Sequence, residues 1–221
     1  MSDRNQARAV FLGGPGAGKG TQAKRLSESF VFAHISTGDM LRSQVAKRTD
    51  LGNQAKILMD QGKLVSDELI VAMVKDRIAE PDAKGGWILD GFPRTLPQAV
   101  ALDRLLGASK SLQVTHVVYF RIADGVLELR LSGRRNCAKC GAIWHVANKP
   151  TRKDGVCDLC GGVLVHRADD RPEAIQKRLQ DFHAITAGPL HTYYKNQGVL
   201  REVDANRSQE VIYQELVQLM Q

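Results

Sequence analysis

The chain has 221 residues, 43% hydrophobic and 25% charged, a balance that fits one globular domain with insertions and excludes a low-complexity or disordered polymer. No apolar run approaches the ~20 residues that span a bilayer. The N-terminal "MSDRNQARAVFLGG" reaches glycine before a signal-peptide core could form, so no membrane partner and a cytoplasmic location are expected. The net charge of +7, with arginine supplying 18 of 31 cations, points to anionic partners and to phosphate in particular.

In chain order, "AVFLG" (9–13) reads as a short buried strand, followed by a glycine-rich turn and a helix opening near Gly18. Residues 36–65 fit short helices around a loop. Ser66, with Asp67 and Glu68 behind it, starts a helix whose apolar face is Leu69, Ile70, Met73, Val74 and Ile78. "WILD" (87–90) and "THVVYF" (115–120) read as further strands, and 130–167 holds the cysteines among many Gly, Lys and Arg. Pro172 suits the first turn of a helix with Ile175, Leu179 and Phe182 on one stripe. A last strand, "VLREVD" (199–204), precedes a helix capped by Ser208 and carrying Val211, Ile212, Leu216 and Met220. Strands alternating with helices predict an α/β fold with a parallel sheet flanked by helices.

The turn after the first strand matches G-x-x-x-x-G-K from Gly13 to Lys19, between a strand and a helix as that motif requires. Glycines let successive backbone N–H groups face a phosphate, the helix N-terminus adds its dipole, and Lys19 adds a charge for the β/γ-phosphates. The residues expected around a triphosphate are therefore Gly14, Pro15, Gly16, Ala17, Gly18, Lys19, Gly20 and Thr21. Gly20 departs from the motif, because Ser or Thr normally stands there to bind magnesium. The metal must then be held by phosphates, water and another carboxylate. Asp90, at the carboxyl end of "WILD", is the candidate.

Further along come "HISTGDMLR" (34–42), "GKLVSDELI" (62–70), "LDGFPRTLPQA" (89–99), "SGRR" (132–135) and "HRADDRPEAIQKRL" (166–179). In this order after "GGPGAGKGTQ", from about residue 8 to about 204, they closely resemble adenylate kinase, which also carries Gly after the P-loop lysine. The resemblance implies a P-loop kinase core (1–35, 66–129 and 168–221), a small helical monophosphate-binding segment (36–65) and a lid (130–167). It implies reversible phosphoryl transfer from ATP to AMP giving two ADP, with Mg2+ accompanying ATP, in a monomer. By the same resemblance Arg42 and Arg94 hold the AMP phosphate, while Arg130, Arg134, Arg167 and Arg178 surround the triphosphate and the phosphoryl in flight. Arg167 and Arg178 thus also adjoin AMP. Thr37 and Gln98 accompany adenine recognition, with Leu64, Val65 and Gly91 beside the base. Arg130 and Arg134 are four apart, which on a helical turn would set both on one face. Asp169 and Asp170 suit either pairing with arginines or orienting the lid hinge.

All four cysteines, Cys137, Cys140, Cys157 and Cys160, form two Cys-x-x-Cys pairs separated by 16 residues. In a reducing compartment such pairs read as a tetrahedral Zn2+ site. Four thiolates fill the coordination sphere, so the metal is expected to be structural, cohering a 38-residue lid too small for a core of its own. The pattern resembles the zinc-bearing branch of adenylate kinases. His145 and His166 are expected to be ordinary polar positions, and Trp144 to pack on the cysteine knuckles. Two other readings compete. One is GTP as donor, or another nucleoside monophosphate kinase. The other is a zinc ribbon that grips nucleic acid through Lys139, Lys149, Arg152 and Lys153; arginines placed in small-nucleotide motifs and an aromatic content of 5% oppose it, so no nucleic-acid partner is expected.

Overall fold

The computed structural model describes residues 7–107 and 113–220; the N-terminal segment read above lies partly outside them, as do the outer ends of the core, 1–6 and 221. Five parallel strands form the main sheet: β1 (Arg8–Gly13), β2 (Ala33–Ser36), β3 (Trp87–Asp90), β4 (His116–Arg121) and β8 (Leu200–Asp204), in the order β2-β3-β1-β4-β8. The expected α/β class is the observed one, and four of these strands are those expected from apolar runs. The short strand β2 lies in "AHIS", where every second residue is polar and the run is too brief to show a period.

Period-two alternation divides the core. Val10 and Leu12 of β1 face one layer with Trp87, Leu89 and Val117, while Ala9 and Phe11 face the other with Ile88, Val118 and Phe120. The first layer is covered by α4 (Asp67–Ile78), α5 (Leu96–Leu106) and α8 (Gly188–Asn196), joined by Leu41 of α2 (Thr37–Ala46) and Ala55 of α3 (Asp50–Asp60). The second is covered by α1 (Lys19–Phe30), α6 (Asp124–Ser132), α7 (Pro172–Asp181) and α9 (Gln209–Leu219). The expected stripes are buried or half-buried except Val211, which sits one position off the line of Ile212 and Leu216 and is exposed. Ser208 caps α9, accepting from the N–H of Val211 at 3.3 Å, whereas Ser66 makes no side-chain cap bond.

A second sheet is small and antiparallel: β6 (Ile143–His145), β5 (Arg134–Cys137) and β7 (Leu164–Val165). It lies within the cysteine-bearing insertion. In the main sheet the chain turns from β1 to β2 and β3 on one side and to β4 and β8 on the other. The carboxyl ends of β1 and β3 therefore flank the switch point where open α/β sheets bind ligands.

Candidate active site

β1 leads straight into the phosphate-binding turn. A Cβ on Gly13 would lie 2.9 Å from Cβ of Phe120, so only glycine lets β1 close on β4 there. Gly18 (φ 95°) precedes α1 in the left-handed region, which aims the first N–H groups of α1 at the turn. Lys19 folds its ammonium across the turn, donating to the carbonyls of Gly13 (2.7 Å) and Gly14 (2.9 Å). Burial lowers its pKa to about 8; Asp90 opposes that shift, while Arg94, Arg178 and Arg134 add to it.

Asp90 ends β3, paired in register with Phe11 of β1. Burial pushes its carboxyl up, but neighbouring His34, then Lys19 and Arg94, hold it below the usual range and ionised. His34 Nε2 lies 3.6 Å from Oδ2, an electrostatic contact too long for a hydrogen bond. The same Oδ2 would lie only 2.8 Å from a Cβ on Gly20. The residue that departs from the motif therefore yields its space to a carboxylate. A half-buried, ionised carboxylate against the phosphate turn is the kind of oxygen donor that suits a hydrated Mg2+.

Lys19, Arg42, Arg94, Arg134, Arg167 and Arg178 converge, and after burial the neighbouring cations lower the proton affinity of Lys19, Arg94, Arg167 and Arg178. Burial and then Arg178 bring Arg94 to about 10, and burial and then Arg42 bring Arg167 to about 10. Arg134 grips Asp170 with Nε (2.7 Å) and Nη2 (2.5 Å), and Arg178 reaches the same carboxylate at 3.1 Å and Asp169 at 3.3 Å. Asp170 is fully buried, so these pairs anchor the cysteine-bearing insertion to α7. Asp169 and Asp170 thus pair with arginines. Arg42 pairs with Asp39 at 2.6 Å. Arg94 and Arg167 form no ion pair among the described residues, and Nε of Arg167 is buried without a hydrogen-bond partner.

The expected helical pairing of Arg130 with Arg134 does not occur. α6 stops at Ser132, so Arg130 stays on the helix while Arg134 begins β5. Arg130 donates instead to the carbonyl of Ala205 at 3.0 Å. Gly133 caps α6 between the two, and a Cβ there would lie 2.3 Å from the His145 ring, so the position has no room for a side chain.

At the start of α2, Thr37 is buried and donates to the carbonyl of Gly91 at 2.9 Å. Gly91 (φ 79°) turns the chain so that Nε of Arg94 donates back to the Gly91 carbonyl at 2.8 Å. Val65 is buried and Leu64 half-buried, in the link between α3 and α4. Gln98 is 2% exposed, and its amide bridges the backbone N–H of Arg94 to Asp67. The sequence marks Asp67 only as a first-turn acid. Thr186, in a π-helical turn (Phe182–Ala187), donates to the Arg94 carbonyl at 2.7 Å, and no local pattern signals that contact either.

In the small sheet the four Sγ atoms lie within 4.8 Å of one another, with Cys137 to Cys160 at 3.4 Å and Cys140 to Cys157 at 3.7 Å. These separations are far too long for disulfides. They approach the ~3.8 Å edge of a tetrahedron with Zn–S bonds of ~2.3 Å, so the donor set fits zinc. Gly141 (φ 72°) and Gly161 (φ 70°) close the two knuckles, each donating back to the first cysteine's carbonyl. The N–H groups of Cys140 and Lys139 lower Cys137 to about 6, favouring the thiolate a metal needs. Trp144 packs with Cys137 and Cys157 as expected. His145 is occupied by the Leu129 carbonyl and the N–H groups of Ala147 and Asn148, and exposed His166 stands outside the cluster.

A model of the family described as Adenylate kinase matches residues 11–199. The protein named Adenylate kinase from Caldicellulosiruptor bescii is 48% identical over 210 residues, covering 93% of this chain and 97% of that one. Its namesakes from Lachnoclostridium phytofermentans (45% identical, 96% and 97% covered) and Archaeoglobus fulgidus (44% identical, 96% and 97% covered) are similar along their whole lengths. The match therefore spans the phosphate turn, the cysteine insertion and every converging arginine, and the chain belongs to the adenylate kinase family.

Proposed function

We propose that this enzyme catalyses reversible, Mg2+-dependent transfer of the terminal phosphoryl group of ATP to AMP, giving two ADP. One observation carries the reading. Arg94 and Arg167 are deeply set, forced below their ordinary proton affinity by burial and by each other's cationic neighbours, and lack any carboxylate partner among the described residues. Cations held this way are stabilised by an arriving anion, and phosphates are multiply charged, tetrahedral anions whose paired oxygens accept a planar guanidinium fork bidentately.

In the reaction, an AMP phosphate oxygen forms the new bond to the γ-phosphorus as the bond to the β-bridging oxygen breaks. The attacking oxygen is already anionic near neutral pH, so no general base is required. The work is positioning and charge stabilisation. Residues 14–21 wrap the donor phosphates, with Lys19 leaving its loop carbonyls for the β/γ-oxygens. Arg42 and Arg94 bind the acceptor phosphate, and Arg134, Arg167 and Arg178 steady the transferring group. Arg130 also serves the donor. Asp90 would hold Mg2+ beside the donor phosphates, where the ion would supply charge neutralisation. Leu64, Val65, Gly91, Thr37 and Gln98 receive the acceptor base. The segment 36–65 and the lid 130–167, cohered by Zn2+ on the four cysteines, close over the core and exclude water. No helix among the described residues is long and apolar enough to cross a membrane. A monomer in the cytoplasm completes the proposal.

The test is a coupled assay of the purified protein with each triphosphate–monophosphate pair. ATP with AMP should be the preferred pair, and Arg94→Ala should lose on the order of 10²-fold or more in turnover. Preference for GTP would move the donor assignment, and near-normal turnover in Arg94→Ala would overturn the arginine roles.

A further inference from the structure

Gln98 forms part of a closed hydrogen-bond circuit in which every direction is dictated by chemistry. The backbone N–H of Arg94 can only donate, so the atom 2.7 Å from it must be the Gln98 oxygen. A carboxylate only accepts, so the Gln98 atom 2.7 Å from Oδ1 of Asp67 must be the amide nitrogen. The Thr95 hydroxyl donates to Oδ2 of Asp67 at 2.8 Å and accepts the backbone N–H of Gln98 at 3.2 Å, which leaves that carboxylate no freedom to turn. The amide of Gln98 thus has one orientation. One N–H and one oxygen lone pair remain uncommitted.

We infer that Asp67 is a positioning residue that sets the choice of acceptor base by locking the Gln98 amide in one orientation; this rests on the proposal that Gln98 meets that base. A locked amide offers an acceptor and a donor in fixed order. A 6-aminopurine presents the complement, an amino donor beside a ring-nitrogen acceptor. A 6-oxopurine presents the reverse, an oxygen acceptor beside an N–H donor, and would need the amide flipped. Flipping would set the Gln98 oxygen against the Asp67 carboxylate and its NH2 against the Arg94 N–H, turning both circuit bonds into like-facing contacts. Rejection of the 6-oxo base is therefore built into residues 67 and 94–98 and not into the base contact alone, in keeping with the strength of discrimination that unpaired buried polar groups enforce.

The experiment measures kcat/KM with ATP and either AMP or IMP for the wild type, Asp67→Asn, Gln98→Ala and the double variant. Asparagine keeps the shape of Asp67 but can donate as well as accept, so it removes the Asp67 half of the penalty on a flipped amide and leaves the Arg94 N–H as the other half. The AMP/IMP ratio should fall roughly tenfold in Asp67→Asn, the worth of one of the two contacts, with KM for IMP falling and KM for AMP rising. Gln98→Ala should lower the same ratio, and adding Asp67→Asn to it should change the ratio no further. Because the ratio is read within one preparation, loss of folded enzyme cancels. An unchanged ratio in Asp67→Asn, with both substrates impaired alike, would overturn the proposal and leave Asp67 a purely structural tie. An unchanged ratio in Gln98→Ala would instead show that Gln98 does not meet the base, a failure visible without any Asp67 variant.

Discussion

Oδ2 of Asp90 occupies the space a side chain at Gly20 would need: a Cβ there would stand 2.8 Å away, closer than real Cβ contacts come. Gly20 lies in the first turn of α1 and Asp90 at the end of β3, so the helix start and the carboxylate are fitted to each other. Gly20→Ala should therefore divide activity from stability. Alanine favours the helix by about 1 kcal/mol over glycine, so melting temperature should hold or rise. The displaced carboxylate should lower kcat by about 10²-fold, the scale of a misplacement near 1 Å. Unchanged turnover would show that the position of Asp90 is not critical.

The acid–base behaviour of Lys19 predicts a pH profile. Its folded pKa of about 8 lies below the ordinary 10.5, so the ammonium is disfavoured in the fold and is lost as pH rises through about 8. Since kcat/KM reports the free enzyme, it should decline above that pH. Bound phosphates favour the charged form, so kcat should persist to higher pH. The stability consequence has the same origin. Between about 8 and 10.5 the unfolded chain binds the extra proton, so Lys19's contribution to stability rises with pH in that window. Lys19→Met should accordingly melt higher than the wild type at neutral pH while losing turnover by orders of magnitude. A lower melting point would contradict the cost assigned to the buried ammonium.

The four cysteines should be separable from the chemistry. Among the described residues, Cys137, Trp144 and Cys157 form the small buried cluster around the knuckles, with Ala142, Cys160 and Leu164 packed against them. Chelation, or Cys157→Ser, should loosen the small sheet, seen as faster proteolysis between residues 138 and 163 and a change in Trp144 fluorescence, with the lower melting temperature that losing a metal brings. At low temperature the metal-free protein should still turn over. A folded, cold, metal-free enzyme without activity would refute a purely structural metal.

Val31 supplies a control remote from the site. It ends α1 at φ 60° and ψ 36°, a left-handed conformation that a β-branched residue rarely adopts, and it is 81% exposed. Val31→Gly should stabilise the protein by about 1 kcal/mol, the strain relieved outweighing glycine's extra chain entropy. Calorimetry would show the rise, and turnover should not change.

The chain by itself determined the parts whose chemistry is contiguous. The turn from Gly13 to Lys19, the paired cysteines, and the apolar runs of β1, β3, β4 and β8 each announce themselves within a few residues, because strand period, phosphate wrapping and knuckle closure are local geometries. Tertiary structure decided what those parts do to one another. Asp170 meets Arg134 across 36 residues and Gln98 meets Asp67 across 31. Arg130 left its expected partner because a helix ended at Ser132. Burial, which depresses Lys19 and Arg94, and the fit of Gly20 to Asp90 arise only when separate elements converge. Such contacts leave no periodic trace in the sequence, since two residues joined across the core need share no spacing, only complementary charge and shape.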